Sequence, residues 1–360
     1  MFGQLPKLFD RSFFIGFFLP AALMFAGLVG TLWSFDYISS DTRKLIAEKS
    51  TFGVALSIVI VWFISILLMA LNRPFIRLLE GYGRGNPFKI FLSRRKKEFE
   101  TRIAPLFTRL DEIIRARRSG GIEPDQEDDF GSKLWKAVND YPEIIDNVLA
   151  TRLGNVMRSY ERYSDVVYGM EAIVLWPRLF MVIPEEARNR VREGEALFQF
   201  ALNALIAGFV SLALYVIMVV ITLHSDNYNG LLNALRWPFI PVISVLLGWF
   251  GWWQLPDAAR ERGEQIKAVF DLYRATLAEA LGLEFPPTQK AERNMWELVS
   301  RRMTFRLSED VKSLDEFRKK DDLQRSDQSA KTRALAKKSE AIENEECSRH
   351  NKERKNYAGD

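Results

Sequence analysis

Four stretches of this chain are apolar, uncharged and long enough to cross a lipid bilayer, and no other feature of the sequence constrains the fold as strongly. A hydrocarbon core about 30 Å thick takes roughly 20 helical residues. The stretches cover residues 13–33, 52–71, 198–223 and 238–253, the last reaching full length only with Trp237 and Leu255. None contains Asp, Glu, Lys or Arg. A helix of a soluble core carries polar residues along one face, and these do not. Inside lipid every backbone N–H and C=O must be satisfied within the segment, so each run is expected to be a continuous helix. The predicted fold class is an all-α membrane protein with four transmembrane helices. The mean hydropathy of −0.09 hides this, because the 27% of charged residues fill the intervals between the spans.

The first run is too long for the apolar region of a signal peptide and no A-x-A site follows it, so it reads as a retained span. Trp33, Trp237, Trp252 and Trp253 stand at span ends, where an amphipathic indole suits the headgroup level, and with Arg178 they are the candidate membrane-interface residues. Lys and Arg set the orientation. Arg73, Arg77, Arg84 and Lys89 follow the second span, Arg188, Arg190 and Arg192 precede the third, and Arg260, Arg262 and Lys267 follow the fourth. The loop between the third and fourth spans has only Arg236, and that between the first and second has Arg43, Lys44 and Lys49. The positive-inside rule then places both termini in the cytoplasm. The expected organisation is a membrane hairpin (1–71), a cytoplasmic helical region (72–197), a second hairpin (198–255), further cytoplasmic helices (256–307) and a charged tail (308–360).

No stretch of the central region alternates with period two, so it reads as helical. Apolar residues from Ile90 to Ile114 follow three- and four-residue steps, with a kink expected at Pro105. An acidic loop (Glu123, Asp125, Glu127, Asp128, Asp129) should follow, and a further helix should start near Pro142. Residues 172–184 form an apolar block too short to span and interrupted by Pro177, which suits a buried, interfacial or re-entrant segment. Pro184-Glu185-Glu186 reads as a helix start that runs into the third span. Pro256 is expected to start another helix, with Gly282 as its stop. The tail is dense in both charges, poor in apolar residues, and expected to bury no core.

The residues offer little chemistry. His224-Ser225-Asp226 contains triad residue types, but adjacency in sequence is not triad geometry. Neither His224 nor His350 has a partner at metal-ligand spacing, and the acidic loop has Phe130 and Lys136 where a calcium loop needs Gly and Glu. Gly81-Tyr82-Gly83-Arg84-Gly85 lacks the Lys-Ser/Thr of a P-loop and reads as a helix terminator. No catalytic, cofactor-binding or metal-ligating residues are therefore assigned, and no enzyme is expected. The single cysteine, Cys347, cannot form an intrachain disulfide. Uncharged spans argue against an ion-coupled transporter. Asn203, Gly208 and Gly248 are the candidates for close helix packing or for lining a pore. Arg94-Arg95-Lys96-Lys97 is a candidate contact for anionic headgroups or a protein partner. A net charge of +4 without a recognisable binding fold makes nucleic acid an unlikely partner.

Thr151-Arg152-Leu153-Gly154-Asn155, Leu175-Trp176-Pro177-Arg178-Leu179 and Arg77-Leu78-Leu79-Glu80-Gly81-Tyr82 resemble stretches of a group of bacterial polytopic membrane proteins without an assigned activity. The resemblance implies a bacterial inner-membrane location and supplies no catalytic residues. The order of hairpins and cytoplasmic helices is similar in topology alone to bestrophin channels. The function expected from the sequence is a non-enzymatic, membrane-anchored interaction or regulatory module, with a homo-oligomer and a cytoplasmic protein as expected partners. The alternative is a homo-oligomeric ion channel or pore.

Overall fold

The computed structural model describes residues 11–38, 51–83, 85–119, 127–225, 228–305 and 314–318. The regular elements among them are helices: α1 (Arg11–Ser34), α2 (Thr51–Glu80), α3 (Leu92–Glu98), α4 (Ala104–Arg118), α5 (Glu127–Asp140), α6 (Arg152–Tyr168), α7 (Ala172–Val182), α8 (Glu185–His224), α9 (Tyr228–Leu235), α10 (Phe239–Ala280) and α11 (Gln289–Phe305). One isolated β-bridge joins Leu283 to Arg318. Helices α1, α2, α8 and α10 are long and apolar enough to cross a membrane. At 1.5 Å per residue α8 and α10 are each about 60 Å long, twice the hydrocarbon core.

Two prolines behave differently from expectation, and a third is met by a wider turn. Pro256 does not start a helix but lies inside α10, flanked by the buried Leu255, Ala258 and Ala259. Packing on both sides holds the helix together across the one missing N–H. Pro142 does not start an α-helix either: it follows the end of α5, only a single 3-10 turn, Ile145–Asn147, comes after it, and α6 begins ten residues later. The start is fixed by Thr151, whose Oγ1 accepts from the Gly154 N–H at 2.9 Å, a stronger signal than a proline in a turn. Pro105 does not break the chain between α3 and α4; a π-turn, Phe99–Ile103, carries the helix through. A second π-turn, Phe14–Phe18, precedes Pro20 at the same offset. A proline ring collides with the carbonyl four residues back, and one wider turn moves that carbonyl aside. Part of the expected acidic loop is also helical, since Glu127, Asp128 and Asp129 open α5, while Glu123 and Asp125 lie outside the described residues.

The chain divides into two compact units. The first comprises Met1–Ser164 and Ile183–Asp271. In it α1 packs along α8 and against α2. Helices α8 and α10 approach backbone to backbone, because Gly208 faces Gly248 and Gly251 faces Leu205. Phe35, Met218 and Ala234 form a buried cluster where α1, α8 and α9 end, with the Phe35 ring edge-on to Tyr215. Phe99, Tyr141 and Val148 form another, beneath the π-turn between α3 and α4.

The second unit comprises Asp165–Val182 and Leu272–Asp360. Helix α7 buries Leu175 and Leu179 completely and leaves Ile173 and Met181 72% and 78% exposed. Helix α11 contributes Met295 and Trp296, both fully buried. Glu292 is buried against Arg274 at 2.7 Å, and that guanidinium lies 4.4 Å from the Tyr168 ring centre. Helix α10 stops as its sequence predicts. Gly282 (φ 74) donates to Glu279, Leu283 donates to Ala278, and the chain leaves extended. Residues Leu314–Arg318 pair with this exit through Glu284 N–H and Phe317 O at 2.6 Å, and Leu314 and Phe317 are buried. This part of the expected coreless tail is therefore docked; the rest of residues 308–360 lies outside the described residues.

Candidate functional site: a polar seam along the long helices

One face of α8 carries Glu195, Gln199 and Asn203 at four-residue spacing, which aligns them along the helix. Asn203 is wholly buried and its Nδ2 donates to the Gly16 carbonyl at 2.7 Å. The partner is available because Pro20, four residues on, has no N–H to return to it. Asn72, the first residue past the apolar run of α2, donates to Gln199 Oε1, and Gln199 Nε2 donates to Glu195 Oε1 at 2.5 Å. Glu195 Oε2 then meets Arg262 Nε of α10 at 2.5 Å, and Arg262 Nη1 donates to the Tyr160 hydroxyl of α6 at 3.1 Å. The Arg262 guanidinium also lies 5.3 Å from the Phe198 ring centre. A continuous chain of polar contacts thus links α2, α8, α10 and α6.

The seam closes where side chains are absent. A Cβ on Gly154 would fall 2.3 Å from the Glu80 carbonyl oxygen, and one on Gly263 would fall 2.5 Å from the Tyr160 ring. Gly81 (φ 85) ends α2 with bonds from Gly81 to Leu78 and from Tyr82 to Arg77. The Asn86 side chain donates to the Leu78 carbonyl at 2.8 Å, supplying one of the donors that a helix end lacks. The stretches 77–82 and 151–155 therefore meet here. Thr151 caps α6, Gly154 admits the end of α2, and Asn155 accepts from Leu149 N–H at 2.6 Å to fix the entry to α6.

Glu80 lies about 13 Å of helix rise beyond Leu71, well past the apolar run. Burial, with Glu161 nearby, pushes its carboxyl up to about 7 against the pull of Arg77, Arg262 and Arg158. Burial also raises Glu161, which Arg158 and Arg262 counteract. Tyr160 is pushed up to about 12, chiefly by burial, and so remains a neutral phenol. Arg262 is held above its ordinary value: burial works against the charge, but the Tyr160 oxygen and the Glu195 and Glu161 carboxylates outweigh it. Chemically, the seam holds one fixed cation and two carboxyls that take up protons more readily than usual.

A second network stands beside it. Arg260 bonds Asp140 through Nε at 3.0 Å and Asp257 through Nη1 at 2.8 Å, and Arg152 lies 3.8 and 3.7 Å from the same two carboxylates. Lys267 donates to Asn139 at 2.5 Å and to Glu264 at 2.9 Å.

The residues singled out from sequence fall in several places. Gly208 and Gly248 are in direct helix contact and Asn203 bonds Gly16, so all three are committed to packing within the chain. Trp33 and Trp237 line an apolar groove of about 620 Å³ with Gly27, Gly30, Ser211 and Ser244. Trp252 and Trp253 are exposed on α10, where Trp249 stacks on Trp253. Arg178 is exposed on α7 and donates to the Val174 carbonyl at 2.6 Å. The basic cluster is split: Arg95 pairs with Glu98 at 2.7 Å and Lys96 with Asp146 at 3.8 Å, while Arg94 and Lys97 are exposed. The Ser225 hydroxyl donates to Thr222 O rather than facing His224, and Asp226 lies outside the described residues. Among the described residues no cluster of His, Cys, Asp and Glu is arranged to hold a metal ion. Sequence reasoning missed the seam, although the i, i+4, i+8 polar row running into an apolar span was its visible signal. No family model, curated protein or solved structure matches this chain.

Proposed function

We propose that this protein is a non-enzymatic integral membrane protein that holds a helical interaction and regulatory module at the cytoplasmic face of a bacterial inner membrane. In this reading α1–α2 and α8–α10 are the two hairpins, and the charged parts, with both termini, lie in the cytoplasm. The observation that carries it is the continuity of α8 and α10, which pass unbroken from an uncharged apolar part into one tied by arginine–carboxylate pairs. A displacement imposed on the charged part is transmitted along the same rigid helices to the apolar part. The exposed Ile173–Met181 stripe of α7 supplies an apolar surface for a protein partner. The alternative, a homo-oligomeric channel resembling bestrophins in topology, would need its axis built from outward-facing residues, since Asn203, Gly208 and Gly248 are used within the chain.

Photo-crosslinking in living cells tests the proposal, with the reactive side chain at Ile173 or Met181 and a control at the exposed Phe209 of α8. The expected result is a protein adduct of defined mass from α7 and lipid adducts from Phe209, together with no ion flux from reconstituted liposomes. Sustained conductance without an adduct from α7 would overturn it in favour of the channel.

A further inference from the structure

The segment from Pro87 to Thr101 presents two unlike faces. A 3-10 turn (Pro87–Phe91) feeds directly into α3, and Phe99 on the inner side is buried against Tyr141 and Val148. Arg95 joins that inner side through Glu98 and lies close to Tyr141, and Lys96 reaches Asp146. The outer side is different. Ile90 is 76% exposed and Phe91 44% exposed, with no apolar neighbour sufficient to cover them. One and two turns on, Arg94 and Lys97 are exposed on the same face, and neither makes an ion pair among the described residues. Lys89 is also exposed; Glu100, on the flank, is the one exposed acid of the stretch. Apolar side chains next to unpaired cations, on a short helical element that follows an apolar span, match the requirements of a surface that rests on lipid headgroups.

We infer that Ile90, Phe91, Arg94 and Lys97 form a docking face for an anionic lipid surface, in which Ile90 and Phe91 enter the headgroup–acyl boundary and the two cations pair with lipid phosphates. Arg95 takes no part, because its charge is met by Glu98 on the inner side, and Lys96, 3.8 Å from the exposed Asp146, lies at the margin of the face. The inference deepens the proposed function by naming one partner of the charged region. The contribution of each cation corresponds to roughly a fivefold change in partitioning onto an anionic surface, so the pair gives about 25-fold, and it weakens with salt.

The test uses the full-length protein carrying Cys347→Ser and Ser93→Cys, labelled with an environment-sensitive dye and placed in nanodiscs. Zwitterionic discs are compared with discs containing anionic phospholipid, each with a nitroxide quencher on the lipid. The expected result is a blue-shifted, quenched dye in anionic discs alone, reversed by Arg94→Glu with Lys97→Glu and by raising the salt on the unmutated face. Ile90→Ser with Phe91→Ser should remove the quenching, whereas Arg95→Glu should not. A hydrated dye in both discs overturns the inference, as does quenching indifferent to Arg94, Lys97 and salt. Both leaflets of the disc have the same composition, so the outcome is independent of membrane orientation and of any protein partner.

Discussion

Alanine at Gly208 and alanine at Gly248 should give opposite results, although the two glycines form one contact. A Cβ on Gly208 would lie 2.3 Å from the Gly248 nitrogen, 2.6 Å from the Ser244 carbonyl oxygen and 2.7 Å from the Gly248 Cα. These are rigid backbone atoms, and ordinary contact begins near 3.4 Å. Helices α8 and α10 would have to part by about 1 Å over several turns. Overpacking of that kind costs about 1–3 kcal/mol. Replacing glycine within a helix returns about 1 kcal/mol, leaving a net loss of up to about 2 kcal/mol. A Cβ on Gly248 points past its partner, its nearest neighbour being the Gly208 main chain at 3.8 Å. Gly248→Ala should therefore be neutral or stabilise by up to about 1 kcal/mol. Unfolding in mixed micelles with increasing denaturing detergent, followed by far-ultraviolet circular dichroism, measures both. Equal losses, or a larger loss at Gly248, would refute the packing geometry and reopen a pore-lining role for the pair.

Further outcomes follow from the seam and the arginine network. Asn203→Leu should cost about 1 kcal/mol by orphaning the Gly16 carbonyl; with Pro20→Ala, which restores a backbone donor, the cost should shrink in a double-mutant cycle. Asp140→Ala should lower stability by about 2 kcal/mol in thermal unfolding, because the largely buried Arg260 loses its main carboxylate. Glu80 is raised from 4.5 to about 7 in the folded protein, so the folded state favours its protonated form. Its contribution to stability is full below pH 4.5 and is lost as the pH rises through about 7. Glu80→Gln should match the parent near pH 4.5 and exceed it above pH 7, by on the order of 1 kcal/mol given the partial exposure of the side chain. Denaturation at both pH values checks this, and a pH-independent difference would contradict it.

The four long apolar helices, the helix start at Pro184 and the stops at Gly81 and Gly282 were legible because each rests on a local rule: an uncharged apolar run, an acidic first turn, a glycine at positive φ. The misread prolines share one cause. Pro256 and Pro142 were weighed as local punctuation, whereas buried neighbours in α10 and the Thr151 cap of α6 decided the helix boundaries. Leu314 and Phe317 were hidden by averaging, because two apolar residues in a highly charged stretch barely change its composition yet suffice to dock five residues. The basic cluster was half divisible from sequence: Glu98 stands three residues after Arg95, whereas the partner of Lys96 depends on where Asp146 folds. The seam was half visible: Glu195, Gln199 and Asn203 show their spacing, but Asn72, Arg262 and Tyr160 come from remote segments that tertiary packing alone unites.

The chain offers a native reporter for the sidedness on which the whole account rests. Cys347 is its single cysteine and lies in the charged tail. A membrane-impermeant maleimide applied to intact spheroplasts, and in parallel to inverted vesicles, reads which side that thiol occupies. Labelling is expected in inverted vesicles, and none in spheroplasts until the membrane is permeabilised. Labelling of intact spheroplasts would place the tail outside and contradict the assignment of the charged helices to the cytoplasmic face.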